Sequence, residues 1–89
     1  MRRVIWRREC ERGLGRMIQR GKNREKFLDI VALLGNDGRV PIRHRPHKLS
    51  GEWEGHWECH IESDWLLIYN VTDKEVLLAR TGTHADLFG

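Results

Sequence analysis

The chain has 89 residues, of which 39% are hydrophobic and 33% charged. This length allows one small domain over residues 1–89, and the composition excludes a disordered tail. No run of about 18 apolar residues is present, which excludes a transmembrane helix, and the basic amino terminus has no apolar region behind it. We therefore expect no signal peptide, no membrane partner and a cytoplasmic location.

Positive charge is concentrated in the first half of the chain. Residues 1–48 contain 14 of the 16 lysine and arginine residues but only 5 of the 13 acidic residues, whereas residues 49–89 carry a net charge of −6. This asymmetry indicates a basic surface that meets a polyanion such as a nucleic acid. The alternative is that the two halves neutralise each other within the fold.

The first third of the chain predicts one strand followed by two helices. RRVIW (2–6) is short, apolar and β-branched, as strands commonly are. Residues 9–20 have apolar side chains at steps of three and four, which is the spacing of a helix with one buried face, despite two glycines that each cost about 1 kcal/mol in a helix interior. Asn23 is a suitable N-cap for a second helix, which we expect to end at Gly35.

The middle of the chain changes its pattern. Residues 40–51 contain two prolines and several basic residues, so we expect an extended and exposed connection. Residues 52–62 alternate between apolar and polar side chains, which predicts one long strand with a buried and a solvated face. The buried face comprises Trp53, Gly55, Trp57, Cys59 and Ile61, and the solvated face includes Glu58 and His60.

The last third predicts a β-hairpin. WLLIYNV (65–71) is almost entirely apolar and predicts a central strand, residues 72–75 a turn, and residues 76–81 the partner strand. Residues 82–89 are expected to form a short tail. The order β-α-α-β-β-β predicts an α+β domain, in which the two helices pack on a small, mostly antiparallel four-stranded sheet.

The alternation over residues 52–62 argues against two kinds of site. His56 and His60 are four strand positions apart, or about 13 Å, which is too far to share one metal ion. Cys59 and His60 are adjacent in a strand and point to opposite faces, so they cannot form a nucleophilic pair. Cys10 and Cys59 form no CxxC motif, and we expect two reduced thiols.

General acid–base chemistry on RNA fits the remaining polar residues better. A metal-free ribonuclease needs a base for the 2′-hydroxyl proton, an acid for the leaving 5′-oxygen and positive charge near the phosphate. Histidine can serve both proton roles because its ordinary pKa lies near neutrality. The candidates are His44, His47, His60 and His84, together with Glu58, Asp64 and several arginines.

The chain from His47 onward resembles the YafQ branch of the RelE/ParE superfamily of bacterial toxins. The resemblance rests on HKLSG (47–51), the W-x-G of residues 53–55, HIESDWLLIY (60–69) and the ending RTGTHADLFG (80–89). It implies a RelE-like fold and an endonuclease that enters the ribosomal A site and cuts mRNA by attack of the 2′-hydroxyl on the adjacent phosphate. It implies neither a metal nor any other cofactor.

The resemblance also implies roles for particular residues. The catalytic group would comprise His47, His60, Asp64, His84 and Phe88, with secondary contributions from Glu58, Arg80 and Trp65. We expect Trp65 mainly to anchor the central strand in the core. Ribosomal RNA would be contacted by the basic helical hairpin, through Arg7, Arg8, Arg12, Arg16, Arg20 and Lys22, and the phosphate near the cut by Arg43, Arg45 or Arg80. His44 and His56 have no counterpart in the resemblance.

The partners implied are the ribosome, mRNA and a cognate antitoxin of the ribbon-helix-helix type, with operator DNA bound only through the antitoxin. Two alternatives remain open. One is a superfamily toxin of the gyrase-directed ParE type, against which the three histidines argue, because blocking an enzyme needs no acid–base groups. The other is a module that only binds RNA or protein.

Overall fold

The computed structural model describes residues 1–89 and contains three helices and five strands. In chain order these are β1 (Arg3–Trp6), α1 (Arg8–Gln19), α2 (Arg24–Asp37), β2 (His47–Lys48), β3 (Trp57–Glu62), β4 (Trp65–Val71), β5 (Glu75–Gly82) and α3 (His84–Phe88). Two single-turn 3₁₀ helices, Ile42–His44 and Gly51–Trp53, lie before and after β2. None of the helices is long and apolar enough to cross a membrane.

The five strands form one mixed sheet in the order β1-β5-β4-β3-β2. β1 pairs with β5 in parallel, and the other three pairings are antiparallel. The predicted α+β class and the mostly antiparallel sheet are therefore confirmed, but the sheet has five strands and not four. The additional strand is β2, in which His47 and Lys48 pair with Glu58 and Trp57, and two residues are too few to produce a periodic pattern.

Helices α1 and α2 cover one face of the sheet and form the larger hydrophobic core with it. The rings of Trp6, Phe27 and Trp65 stack in series, with centroid distances of 5.4 and 6.3 Å. Gly13 explains why α1 tolerates an interior glycine, since a Cβ there would lie 2.1 Å from the carbonyl oxygen of Thr81 on β5. The missing side chain therefore lets α1 pack directly on the sheet.

Helix α2 begins as predicted and ends later than predicted. The side chain of Asn23 accepts a hydrogen bond from the backbone N–H of Glu25 at 2.9 Å, which confirms the N-cap. The helix continues through Gly35 to Asp37 and ends at Gly38, whose φ of 74° is left-handed. Gly35 lies inside the helix, where a Cβ would lie 2.9 Å from Cε of Met1.

The prediction of one long strand over residues 52–62 is wrong in its first half. Trp53 lies in a 3₁₀ turn, Gly55 has a left-handed φ of 87°, and β3 begins only at Trp57. Trp53 therefore packs on the opposite side of the sheet from Trp57, against a second cluster formed by Leu66, Ile68, Ala79 and Leu87, with Leu49 beside it.

The second cluster changes the surroundings of the predicted solvated face. Glu58 and His60 do lie on the face opposite Cys59, as the alternation indicates. That face, however, is partly covered, and Glu58 is buried. A period of two separates the faces of a strand but does not reveal which segments pack over each face.

The predicted tail is a helix. α3 has a capping box, in which the Thr83 side chain accepts a hydrogen bond from the Asp86 N–H and the Asp86 side chain accepts one from the Thr83 N–H. Leu87 packs into the second cluster, so α3 covers the face that α1 and α2 leave open.

Residues 40–51 likewise differ from a simple extended connection, because they include a 3₁₀ turn, β2 and the buried side chain of Val40.

Candidate active site

A row of polar side chains crosses the sheet on the face that carries α3. His47 on β2 pairs with Glu58 on β3, Glu58 pairs with Ile68 on β4, and Ile68 pairs with Arg80 on β5. Directly opposed residues in antiparallel strands project from the same face. The register therefore gathers His47, Glu58 and Arg80, and His60 lies on the same face two positions along β3 from Glu58.

His47 is held between a backbone carbonyl and a carboxylate. Its Nδ1 lies 3.1 Å from the carbonyl oxygen of Arg45, and its Nε2 lies 3.2 Å from Oε1 of Glu58. The imidazole is 51% exposed, whereas the Glu58 side chain is only 7% exposed. Oε2 of Glu58 is buried and has no hydrogen-bond partner within the protein.

His60 is oriented by the turn that follows it. Its Nδ1 lies 3.1 Å from the carbonyl oxygen of Ser63 and 3.2 Å from Nη2 of Arg45. The two contacts exclude each other, because a protonated Nδ1 donates to the carbonyl and cannot accept from the guanidinium. When Nδ1–H bonds to Ser63 in the neutral ring, Nε2 carries the free lone pair and can take a proton from a substrate.

The loop before β2 stays close to His60. Nδ1 of His44 lies 2.9 Å from the carbonyl oxygen of His60, which fixes the 3₁₀ turn against β3. A pocket of about 320 Å³ opens beside it, and its walls include Arg43, Arg45, His60 and Ser63. The structure thus brings the two exposed arginines predicted to meet phosphate next to a predicted catalytic histidine, and it gives His44 a structural contact.

Helix α3 adds the carboxyl-terminal residues to this group. Oδ1 of Asp64 accepts a hydrogen bond of 2.9 Å from the backbone N–H of His84, which ties the β3–β4 turn to the start of α3. His84 and Phe88 lie one helical turn apart, with ring centroids separated by 5.1 Å. Nη2 of Arg80 donates to the carbonyl oxygen of Asp86 at 3.4 Å, while its Nε is buried without a partner.

Two predicted RNA contacts are engaged within the protein. The guanidinium of Arg20 makes two hydrogen bonds to the Asp86 carboxylate, of 2.7 and 3.2 Å. Lys22 and Lys26 each contact one oxygen of Glu62, at 2.7 and 2.8 Å. The hydrogen bond from Arg20 lowers the pKa of Asp86. The hydrogen bonds from Lys22 and then from Lys26 lower the pKa of Glu62.

Glu62 and Asp86 were not predicted as site residues from the sequence. Each lies close in the chain to predicted catalytic residues, but its partners are tens of positions away. An ion pair at such a separation leaves no pattern in a single sequence. Four other basic residues were also predicted to contact RNA. They are exposed and form no ion pair within the chain: Arg7, Arg8, Arg12 and Arg16.

Trp65 and Cys59 belong to the core. Trp65 is fully buried, and its Nε1–H donates to Oγ1 of Thr81 at 3.0 Å, so its side chain does not reach the surface of the site. Cys59 is also fully buried, on the opposite face from His60, and burial raises the pKa of its thiol to about 12. A thiol in this state is a poor nucleophile.

No group of three or more histidine, cysteine or acidic side chains is arranged to hold a metal ion.

The chain matches known proteins along its whole length. A family model described as the bacterial toxin of the type II toxin-antitoxin system, YafQ, matches residues 2–89. The mRNA interferase toxin YafQ of Escherichia coli strain K12 is 45% identical over 67 residues, which cover 75% of this chain and 72% of that protein.

Solved structures agree with the sequence match. A crystal structure of a YafQ point mutant from E. coli superimposes with a TM-score of 0.92 at 34% identity, covering all of both chains. YafQ in the crystal structure of the E. coli DinJ-YafQ complex superimposes with a TM-score of 0.90, also at 34% identity and with full coverage of both chains. The chain therefore belongs to the YafQ family of bacterial toxins of type II toxin–antitoxin systems.

Proposed function

We propose that this chain is a toxin that cuts translated mRNA in the ribosomal A site by metal-free acid–base catalysis. The E. coli relative at 45% identity is an mRNA interferase. The observation that carries the proposal is that the fold connects the predicted catalytic residues at one end of the sheet. The carbonyl oxygen of Arg45 contacts Nδ1 of His47, and Asp64 accepts a bond from the N–H of His84. Nδ1 of His60 bonds either to the carbonyl oxygen of Ser63 or to Nη2 of Arg45.

In the proposed reaction, a histidine removes the proton of the ribose 2′-hydroxyl. The 2′-oxygen then bonds to the adjacent phosphorus, the bond from phosphorus to the 5′-oxygen breaks, and a second group protonates that oxygen. His60 and His84 share the two proton transfers. His47 and Asp64 support them, the first through its contact with Glu58 and the second by fixing the N-terminus of α3.

Arginine side chains stabilise the charge on the phosphate. Arg43 and Arg45 are exposed and flank His60 in the adjacent pocket, and the half-buried Arg80 lies beside α3 through its bond to Asp86. Phe88, next to His84 and 40% exposed, offers a ring on which a base can stack. Arg7, Arg8, Arg12 and Arg16 contact ribosomal RNA, since neutralisation of phosphates provides most of the affinity that is independent of sequence.

The proposed partner in the bacterial cytoplasm is a cognate antitoxin. The E. coli relative forms a complex with DinJ. We expect the antitoxin of this chain to be of the ribbon-helix-helix type, to inhibit the toxin by binding it, and to supply the contacts of the complex with operator DNA.

Expression of the chain followed by primer extension on cellular mRNAs tests the function. Cuts in phase with codons, found only on translated messages, are the expected result. The absence of cuts together with disturbed DNA supercoiling would replace this proposal with a gyrase-directed toxin. Binding to ribosomes without cutting of mRNA or loss of supercoiling would replace it with an RNA-binding module.

A further inference from the structure

The short helix α3 needs anchors from the rest of the protein. It has five residues, and a helix of this length is not stable on its own. It nevertheless carries two of the proposed catalytic residues, His84 and Phe88. Their position over the sheet therefore depends on the contacts that hold α3.

The contact of α3 with α1 is a bidentate ion pair. Nη1 of Arg20 donates to Oδ2 of Asp86 at 2.7 Å, and Nη2 donates to Oδ1 at 3.2 Å. Paired hydrogen bonds between a guanidinium and a carboxylate fix orientation as well as distance. Arg20 stands at the end of α1, which packs tightly on β5 at Gly13, so the guanidinium is attached to a rigid support.

The same carboxylate also orders the first turn of α3. Oδ2 of Asp86 accepts a hydrogen bond of 2.9 Å from the N–H of Thr83, the residue directly before His84. Below it, a Cβ at Gly82 would lie 2.9 Å from Cβ of Asp86 and 3.0 Å from Oδ2. Asp86 is therefore enclosed between the end of β5, the N-terminus of α3 and the guanidinium of Arg20.

We propose that Arg20 and Asp86 are a positioning pair that orients His84 and Phe88 for cleavage of RNA. The proposal rests on the proposed function, in which His84 acts on the scissile phosphate. It gives Arg20 a different role from that of the other arginines of α1, because both Nη atoms of Arg20 bond to Asp86 whereas the others form no ion pair. Neither residue touches the substrate in this proposal.

Cleavage kinetics form the first part of the test. Arg20→Gln, Asp86→Asn and the double variant are assayed on ribosomes programmed with a defined mRNA, under single-turnover conditions. Each single variant should lower the rate at saturating ribosome by about ten- to a hundredfold, as expected for a displaced catalytic group. The half-saturating concentration of ribosome should not change. The double variant should be no slower than either single variant, because both break one interaction. Arg39→Gln, which removes the same charge from an exposed site with no ion pair, is the control.

Hydrogen exchange forms the second part and requires no RNA. The N–H groups of Leu87 and Gly89 bond to the carbonyl oxygens of Thr83 and Ala85 within α3. In Arg20→Gln and Asp86→Asn these two amides should exchange roughly two- to fivefold faster, as the strength of such pairs suggests. The amides of β4 should keep their rates, as should all amides in Arg39→Gln.

The two parts separate the proposal from the proposed function. A wild-type protein that cuts no RNA contradicts the function, and the exchange rates then still decide whether the pair positions α3. If Arg20→Gln raises only the half-saturating concentration of ribosome and leaves the α3 amides unchanged, Arg20 is an RNA contact and the positioning pair is rejected. Additive losses in the double variant also reject it.

Discussion

Nε2 of His47 lies 3.2 Å from Oε1 of the buried Glu58, while Nδ1 of the same ring lies 3.1 Å from the carbonyl oxygen of Arg45. A neutral imidazole has one N–H and can donate only one of these bonds, whereas the protonated ring donates both. The Glu58 carboxylate and the Arg45 carbonyl therefore hold the imidazole of His47 through both of its nitrogens. Because half of the imidazole is exposed, the ring remains accessible to a substrate.

Glu58→Gln should reduce cleavage and leave the protein folded. The glutamine keeps the size of the side chain but removes the negative charge that contacts Nε2 of His47. Since hydrogen bonds to charged groups contribute about 1.5 to 3 kcal/mol, we expect cleavage on programmed ribosomes to fall by at least about tenfold. Glu54→Gln, at an exposed position, serves as the control. Equal activity of both variants would show that Glu58 has no part in the reaction.

His60→Ala and His84→Ala should each abolish growth arrest. Removal of a general acid or base typically costs a factor of about 10² to 10⁴ in rate. Both side chains lie at the surface of the site, so the circular dichroism spectrum and the urea midpoint should remain close to those of the wild type. Growth after induced expression is the measurement. If both variants stay fully toxic, the acid–base assignment is wrong.

The sequence predicted the parts of the fold that have a period. Apolar side chains at helical spacing over ten or more residues predicted α1 and α2. Alternating or continuous apolar runs predicted β4 and β5. β2 and α3 were missed because two and five residues are too short to show a period. Both short elements are nevertheless needed to complete the face on which the site lies.

The site was predicted less completely than the fold. Alternation placed His60 on the face opposite Cys59, but only the resemblance to known toxins connected it with His47 and His84. The burial of Glu58 and the ion pairs of Glu62 and Asp86 depend on segments that are distant in the chain. Such contacts follow from tertiary packing, which a single sequence does not reveal.

The two glycines of α1 should respond in opposite directions to alanine. At Gly13 a Cβ would lie 2.1 Å from the carbonyl oxygen of Thr81, so Gly13→Ala must push α1 away from β5 and should lower the free energy of unfolding by about 1 to 3 kcal/mol. At Gly15 a Cβ would meet nothing within 4 Å. Gly15→Ala should therefore raise the free energy of unfolding by about 0.5 to 1 kcal/mol. Urea denaturation measures both. A Gly13→Ala protein as stable as Gly15→Ala would contradict the close packing of α1.

The thiols of Cys10 and Cys59 should not react in the folded protein. Both are fully buried, and burial raises the pKa of each thiol to about 12. Because the thiolate is the reactive form, alkylation by iodoacetamide at pH 8 should be negligible until urea unfolds the chain. Mass spectrometry counts the modified cysteines, with the unfolded protein as the positive control. Rapid modification of Cys59 in the native state would reopen a nucleophilic role for it.

The ion pairs of Glu62 and Asp86 should make the stability of the protein depend on acid. The hydrogen bonds from Lys22 and Lys26 lower the pKa of Glu62 below its ordinary 4.5, and the bond from Arg20 lowers that of Asp86 below its ordinary 3.8. A carboxyl group whose pKa is lower in the folded state stabilises the protein above its unfolded pKa, and this contribution is lost as the pH falls through the folded pKa. The urea midpoint should therefore decline as the pH is lowered from about 5 towards 2.

Glu62→Gln and Asp86→Asn should each make the fall of the urea midpoint with decreasing pH less steep, because the new amide side chain does not take up a proton in this pH range. Their midpoints should lie below that of the wild type at pH 7 and approach it at low pH. Glu54→Gln is the matched control, since Glu54 is exposed and forms no ion pair, and its curve should follow the wild type throughout. Curves for Glu62→Gln and Asp86→Asn that run parallel to the wild type would mean that neither pair stabilises the fold through its charge.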